Sequence, residues 1–206
     1  MDVAIHSKRK RSLKEEKFTP IAPLKPKAPP AKIAAKRLIL KKLKLSMGEV
    51  IFETVDHNRL HLGRFLSWVD FLTDIRHERS WIVTQTRKWK ERSQFVYGIF
   101  LVKDNTYIGN IDAHAIDWVN HKVEIGYWLA ERFEGHGYMT EAVQAMERAL
   151  FDVGFHRIVI QCNSKNKLSA RIPLRCGYLL EGVLRQNAIE KGQFRDTMVF
   201  SKIATD

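Results

Sequence analysis

The chain has 206 residues, of which 45% are hydrophobic, and this length suffices for one domain with a buried core. Its two cysteines, Cys162 and Cys176, lack the spacing of metal ligands, so no metal site is expected, and so few cysteines suit a reducing cytoplasm. No apolar run approaches the roughly 20 residues that span a membrane, and the N-terminus lacks the apolar region of a secretory signal.

The formal net charge of +12 is concentrated near the N-terminus. Residues 1–44 contain fourteen Lys/Arg and three Asp/Glu, a net of +11, so the other 162 residues carry only +1. The run Lys8–Arg11 precedes five of the six prolines, a composition that favours polyproline II and cannot form a core. We therefore predict a disordered basic extension over residues 1–35 and a folded domain over residues 36–206. The extension is either a solvated segment without a role or a tether for a polyanion such as ribosomal RNA.

The first part of the domain is predicted to contain one strand and three helices. Alternating leucines between Leu38 and Leu45 favour a strand, with a basic amphipathic helix as the alternative. Ser46 and Glu49 have the spacing of a capping box at the first helix. The three helices are expected at 46–58, 59–68 and 74–93. The third would bury Ile75, Ile82, Val83 and Trp89.

The remaining chain is predicted to add six strands and two helices. The strands are expected at 95–102, 107–116, 124–129, 157–162, 178–188 and 194–203. The helices are expected at 138–153 and, interrupted near Pro173, at 165–176. This element order predicts a mixed α+β fold in one domain.

The stretch Glu124–Val153 predicts an anion site. An aromatic strand leads into the glycine turn Arg132-Phe-Glu-Gly135-His-Gly137, and an amphipathic helix follows. The first amides of a helix lack partners and the helix dipole is positive there, while glycines allow φ > 0 and close approach of a phosphate. The turn is too short for a Walker loop and is not a three-glycine dinucleotide fingerprint. An ordinary strand-to-helix connection is the alternative.

This R-x-x-G-x-G turn after the strand Ile125–Leu129 resembles the acetyl-CoA pyrophosphate loop of the GNAT N-acetyltransferases. The motifs Asn163…Asn166-x-x-Ser169 and Arg175-x-Gly177-Tyr178 extend the resemblance to the RimJ/RimL-type ribosomal-protein N-terminal acetyltransferases. The resemblance covers roughly residues 36–203. It implies a GNAT fold with about seven strands and four or five helices, in which the strands that hold Trp128 and Cys162 splay apart to bind acetyl-CoA.

The resemblance also implies which residues bind the two substrates. The residues implied for acetyl-CoA are Tyr127, Trp128, Leu129, Arg132, Gly135, His136, Gly137, Tyr138, Met139, Asn163, Asn166 and Ser169. Those implied for the acceptor groove are Asn58, Arg59 and Trp68, although Trp68 is equally compatible with a place in the core.

For catalysis, the resemblance implies that Ser169 is a general acid for the departing thiolate, with a structural bond to Asn166 as the alternative. The family's Gln-Ala-Glu run, whose glutamate is proposed to accept the amine proton, is replaced here by Gln186-Asn187-Ala188. Glu124 and Glu190 are the remaining candidate bases. Each could equally be a surface or salt-bridged carboxylate.

The acceptor prediction follows from amine chemistry. An α-amine has a pKa of about 7.7–8.0 and lysine one of about 10.4, so deprotonation at pH 7 costs roughly 1–1.4 and 4.6 kcal/mol, respectively. A site with a weak base therefore favours the N-terminal α-amine of a ribosomal or other protein. A small-molecule amine acetyltransferase and a non-catalytic acyl-CoA-binding homologue are the alternatives, and both a monomer and a homodimer remain open.

Overall fold

The computed structural model describes residues 20–206, and within them the chain forms eight strands and five α-helices. The strands are β1 (Lys32–Ala34), β2 (Leu38–Lys42), β3 (Phe95–Leu101), β4 (Tyr107–Asp117), β5 (Lys122–Leu129), β6 (Arg157–Asn163), β7 (Leu179–Glu190) and β8 (Gln193–Ile203). The helices are α1 (Gly48–His57), α2 (Arg59–Leu62), α3 (Ile75–Glu91), α4 (Tyr138–Val153) and α5 (Lys167–Arg175). Short 3-10 helices lie at Leu45–Met47, Ser67–Phe71 and Glu131–Phe133.

All eight strands belong to one mixed sheet, in the order β1-β2-β3-β4-β5-β6-β8-β7. Every neighbouring pair is antiparallel except β5 and β6, which run parallel. That parallel pair extends only over Lys122–Glu124 and Arg157–Val159. The edge of β5 that faces β6 is therefore free of a strand partner from Ile125 to Leu129, while the opposite edge pairs with β4. The predicted splayed strand pair of the GNAT fold is confirmed.

The two faces of the sheet are covered by different helices because side chains along a strand alternate in direction. Tyr97 and Ile99 of β3 join the larger core, in which α4 buries Val143 and Met146. Val96 and Phe100 point the other way and join a smaller core that α1 and α3 complete. Burial of each large side chain contributes about 1.5–3 kcal/mol, and the rigid sheet between these cores holds the functional site in place.

The predicted start of the domain at residue 36 is too late. Lys32–Ala34 form β1, which pairs with β2, and the Pro30 carbonyl accepts a hydrogen bond of 2.8 Å from the Tyr97 hydroxyl. The backbone amide of Leu24 donates to the Trp118 carbonyl over 2.8 Å. Prolines prevent a helix here but leave carbonyls and intervening amides free to bond the domain. The run Lys8–Arg11 lies outside the described residues.

Three local predictions are also wrong. Ser46 lies inside a 3-10 turn and makes no capping bond, because α1 begins only at Gly48. Val83 is 59% exposed, and the buried stripe of α3 instead includes Glu78 and Gln85. Hydrophobic periodicity overlooks buried polar residues even where their spacing fits the helix. Pro173 lies inside α5 without interrupting it.

Candidate active site

A cavity of about 490 Å³ fills the wedge beside the free edge of β5. Nine of the twelve residues predicted to bind acetyl-CoA line it. They are Tyr127, Trp128, Leu129, Gly135, Gly137, Tyr138, Met139, Asn166 and Ser169. The other three do not: Arg132 and His136 are exposed, and the Asn163 side-chain amide donates to Glu190 over 2.6 Å.

The glycine turn presents bare backbone at the start of α4. Gly137 has φ +76° and occupies the N-cap position, and no side chain caps the helix. Gly135 has φ +75°, and apart from the adjacent residues no atom of the described chain lies within 4 Å of where a Cβ would stand. The first amides of α4 are thus available to a ligand at the positive end of the helix dipole. This cradle fits a pyrophosphate group.

Arg37, between β1 and β2, supports the turn from behind. Its Nε donates to Glu141 Oε2 over 2.8 Å, and its Nη1 donates to the His136 carbonyl over 3.1 Å. The guanidinium also lies 4.6 Å from the centre of the Tyr138 ring. Sequence reasoning missed this residue because it lies in a basic stretch and its partners are about a hundred positions away.

Three further arginines line the wedge cavity: Arg64, Arg171 and Arg175. Arg171 and Arg175 are four residues apart and therefore share a face of α5. Their guanidinium groups complement the phosphates that the glycine turn would hold. The sequence contains no short-range signal for this grouping, because Arg64 and α5 are about a hundred residues apart and line one cavity only in the fold.

Ser169 is placed by an interaction that involves Pro173. Proline has no amide hydrogen, so Pro173 leaves the Ser169 carbonyl, four residues earlier, without its helical partner. The Tyr127 hydroxyl donates to that carbonyl over 3.0 Å, and Ser169 Oγ lies 3.4 Å from the same hydroxyl oxygen. The Asn166 side chain accepts from the Ser169 amide over 3.1 Å. Two hydroxyl groups therefore face the wedge at one point.

The residues predicted for the acceptor groove have two different roles in the structure. Asn58 Oδ1 accepts from the Glu131 amide over 2.9 Å, and Arg59 Nη1 donates to the Val69 carbonyl over 2.9 Å. These two hold the helices together rather than line a cavity. Trp68 lines a second cavity of about 370 Å³. Trp128 lies in the walls of both cavities, so the two adjoin.

Neither of the carboxylates predicted as bases lines the wedge or the second cavity. Glu124 lines a separate cavity of about 560 Å³. Glu124 accepts from Gln161 over 2.8 Å and lies 3.5 Å from His114 Nε2. Hydrogen bonds to Asp112 and then to Glu124 raise the pKa of His114 to about 10, so this ring is protonated at neutral pH. Glu190 accepts from Asn163. These contacts agree with the alternative of paired, structural carboxylates.

The sequence model of a family described as "Acetyltransferase (GNAT) domain" matches residues 37–179. This chain belongs to the GNAT acetyltransferase family. It is 28% identical over 154 residues to the ribosomal-protein-serine acetyltransferase of Escherichia coli K12. The aligned part covers 74% of this chain and 85% of that relative. YdaF of Bacillus subtilis 168 is 30% identical to this chain over 157 residues. The aligned part covers 75% of this chain and 84% of YdaF.

Two solved structures extend the comparison. RimL, a ribosomal L7/L12 α-N-protein acetyltransferase solved with coenzyme A, has a TM-score of 0.80 at 26% identity, covering 84% of this chain and 97% of that one. The microcin C7 self-immunity acetyltransferase MccE, solved with acetyl-CoA and AMP, has a TM-score of 0.78 at 28% identity, covering 82% and 93%. The chain is therefore an N-acetyltransferase of GNAT type that uses acetyl-CoA.

Residues 20–206 contain neither a membrane-spanning helix nor a cluster of metal-ligating side chains. No helix there has the length and apolar character needed to cross a membrane. No group of three or more His, Cys, Asp or Glu side chains in this part of the chain has the arrangement of a metal site.

Proposed function

We propose that this enzyme transfers acetyl to the N-terminal α-amine of a protein, with ribosomal proteins as the first candidates. The observation that carries the proposal is the second cavity, which adjoins the acetyl-CoA wedge at Trp128 and opens to solvent beside Phe71, a residue that is 77% exposed. An open mouth of this kind admits the end of a polypeptide. The relatives named for ribosomal-protein acetylation support the same acceptor class.

Different residues of the wedge would bind the pyrophosphate, bind the pantetheine and act on the departing thiolate. The amides of Gly137, Tyr138 and Met139 would hold the pyrophosphate, and charge-assisted bonds of this kind contribute roughly 1.5–3 kcal/mol each. The free edge of β5 would bond the pantetheine amides as an added strand does. When bound, acetyl-CoA supplies the activated acetyl group. Ser169 and Tyr127 would stabilise or protonate the thiolate that leaves.

The experiment that tests the acceptor class is a mass-spectrometric comparison of protein N-termini from cells with and without the protein. We expect loss of α-acetylation at a small set of N-termini when the protein is absent. Unchanged N-termini together with the disappearance of an acetylated small molecule would instead favour the second candidate, a small-molecule acetyltransferase. The AMP complex of MccE favours that candidate.

Replacement of Ser169 by alanine should lower kcat by about 100-fold or more with little change in acetyl-CoA affinity, because the hydroxyl matters mainly as the thiolate forms. Steady-state kinetics with a short serine-started peptide, together with calorimetry, measure both quantities. Ser164→Ala, on the turn that follows β6, is the control. A rise in KM at constant kcat would show instead that Ser169 only binds substrate.

The basic segment at 20–44 contains eight Lys/Arg and no Asp/Glu, and Lys25, Lys27 and Lys32 are exposed. We propose that this segment contacts RNA. The triple glutamine variant at these lysines should reduce the slope of log affinity against log salt by about 2–3, at 0.7–0.9 per phosphate contact, and leave peptide turnover unchanged. An unchanged salt slope would contradict the RNA role, and lost turnover would place the segment in the active site.

A further inference from the structure

Glu78 is a buried carboxylate at the second cavity. Its side chain lies on α3 and is 4% exposed, yet it lines the cavity together with Trp68, Trp81 and Trp128. Its Oε1 atom has no hydrogen-bond partner among the described residues. A buried carboxylate without a partner is costly, so this atom indicates an interaction that the protein alone does not supply.

None of the described residues that line the cavity beside Glu78 is a lysine or an arginine. The other titratable residues that line the cavity are His77 and Asp112, and the Asp112 carboxylate already pairs with His114 at 3.0 Å and accepts from Gln94 at 2.9 Å. Tyr107 lies near enough for the Glu78 charge to help raise its pKa. Burial raises the pKa of Glu78 to about 7, so its proton is exchanged near neutral pH.

The walls of the cavity suit a cation that carries a proton. Trp68, Phe71, Trp81 and Trp128 line it, and the faces of aromatic rings attract ammonium groups, most strongly where the cation is desolvated. Trp128 also borders the acetyl-CoA wedge, and the ring centres of Trp68 and Trp128 are 6.2 Å apart. An ammonium group beside Glu78 would therefore lie next to the place where the acetyl group is presented.

We propose that Glu78 binds the acceptor's ammonium group and takes its proton, as the catalytic base of this enzyme. This role rests on the proposed function, acetyl transfer to the N-terminal α-amine of a protein. The ammonium gives one proton to the Glu78 carboxylate, and the neutral nitrogen forms a bond to the acetyl carbon as the carbon–sulfur bond of acetyl-CoA breaks. The second amine proton goes to the thiolate by way of the Ser169 or Tyr127 hydroxyl. Glu78 returns its proton to solvent.

This assignment supplies the group that the chain lacks at Ala188. Glu124 and Glu190 already accept hydrogen bonds from Gln161 and Asn163. Glu78 lines the second cavity, and its Oε1 atom has no hydrogen-bond partner among the described residues. Only the fold reveals the difference, since all three are single glutamates in unremarkable sequence. The position of Glu78 is set by α3 and not by β7, the strand whose register is shifted by a bulge between Leu184 and Ala188.

The first test measures the amine site without acetyl transfer. Tryptophan fluorescence of the full chain is followed at pH 8 during titration with n-butylammonium and with butanol, a neutral ligand of similar size. We expect Glu78→Gln to weaken butylammonium binding at least 10-fold and leave butanol binding unchanged. Glu91→Gln, an exposed substitution at the end of the same helix, should change neither. Equal butylammonium affinity in the wild type and Glu78→Gln overturns the proposal.

The second test measures turnover of a serine-started peptide between pH 6 and 9 by release of coenzyme A thiol. Glu78→Gln should reduce kcat/KM about 100-fold or more at pH 6.5, and the loss should shrink as pH passes the amine's own pKa. Acetyl-CoA affinity should be unchanged, and Glu78→Asp should recover part of the rate. Full activity of Glu78→Gln at pH 6.5 refutes the base, although the proposed function then stands. Glu78-dependent amine binding without peptide acetylation refutes the proposed function and leaves the amine site intact.

Discussion

Substitution of Gly137 by valine is expected to weaken acetyl-CoA binding by about 100-fold or more. Gly137 adopts φ +76°, and a β-branched residue is strongly disfavoured in that conformation. The turn would therefore move, and the first amides of α4 would no longer point into the cavity. Loss of two charge-assisted hydrogen bonds at roughly 1.5–3 kcal/mol each gives the expected factor. Isothermal titration calorimetry with acetyl-CoA measures it.

Gly192→Val is the matched control for this prediction. Gly192 has φ +72° in the turn between β7 and β8, and apart from the adjacent residues no atom of the described chain lies within 4 Å of where its Cβ would stand. The backbone strain is therefore similar, but the substitution lies away from the glycine turn of the wedge. Weakened binding in both variants would show a general loss of stability, and undiminished affinity in Gly137→Val would contradict the pyrophosphate cradle.

The second large effect concerns stability. Burial raises the pKa of Glu78 from 4.5 to about 7, so the native state binds more protons than the unfolded state between these values. The free energy of unfolding should therefore fall as pH rises through this interval, by about 3 kcal/mol at 1.36 kcal/mol per unit. The neutral Glu78→Gln variant escapes this loss. We expect it to match the wild type near pH 4 and to be more stable by up to about 3 kcal/mol at pH 8.

Urea unfolding at pH 4, 6 and 8 measures the difference, with Glu91→Gln as the exposed control. The control should follow the wild-type curve at each pH. If Glu78→Gln is instead less stable than the wild type at pH 8, the ionised carboxylate has a stabilising partner in the native protein. That outcome would remove the physical reason for placing a substrate cation beside it.

The acetyl-CoA wedge could be predicted from sequence because its main signals are local. Gly135 and Gly137 are two residues apart, and the aromatic strand and amphipathic helix that flank them are each continuous in the chain. Helical periodicity likewise predicts α4 at the bounds that the structure shows. The resemblance added the splayed strands, which no local pattern reveals.

The acceptor side could not be predicted because it depends on contacts between distant segments. Glu78 lies in a charged stretch that indicates an exposed helix surface, and only the packing of α3 onto the sheet buries it. Arg37 could not be singled out because it lies among other basic residues in the sequence. In the structure its hydrogen bonds to Glu141 and to the His136 carbonyl support the glycine turn. The strand β1 was missed because three residues after a proline-rich segment carry too little periodicity.

The most direct test of the central claim is to locate the acetyl group on a product. The purified full-length protein is incubated with [13C]acetyl-CoA and a serine-started peptide that also contains an internal lysine, and fragment masses assign the label. We predict label on the α-amine alone and none on a peptide whose N-terminus is blocked. Label on the lysine side chain alone would contradict the account. So would an unlabelled peptide if the enzyme, in a parallel incubation with a cell extract, labels small amines instead.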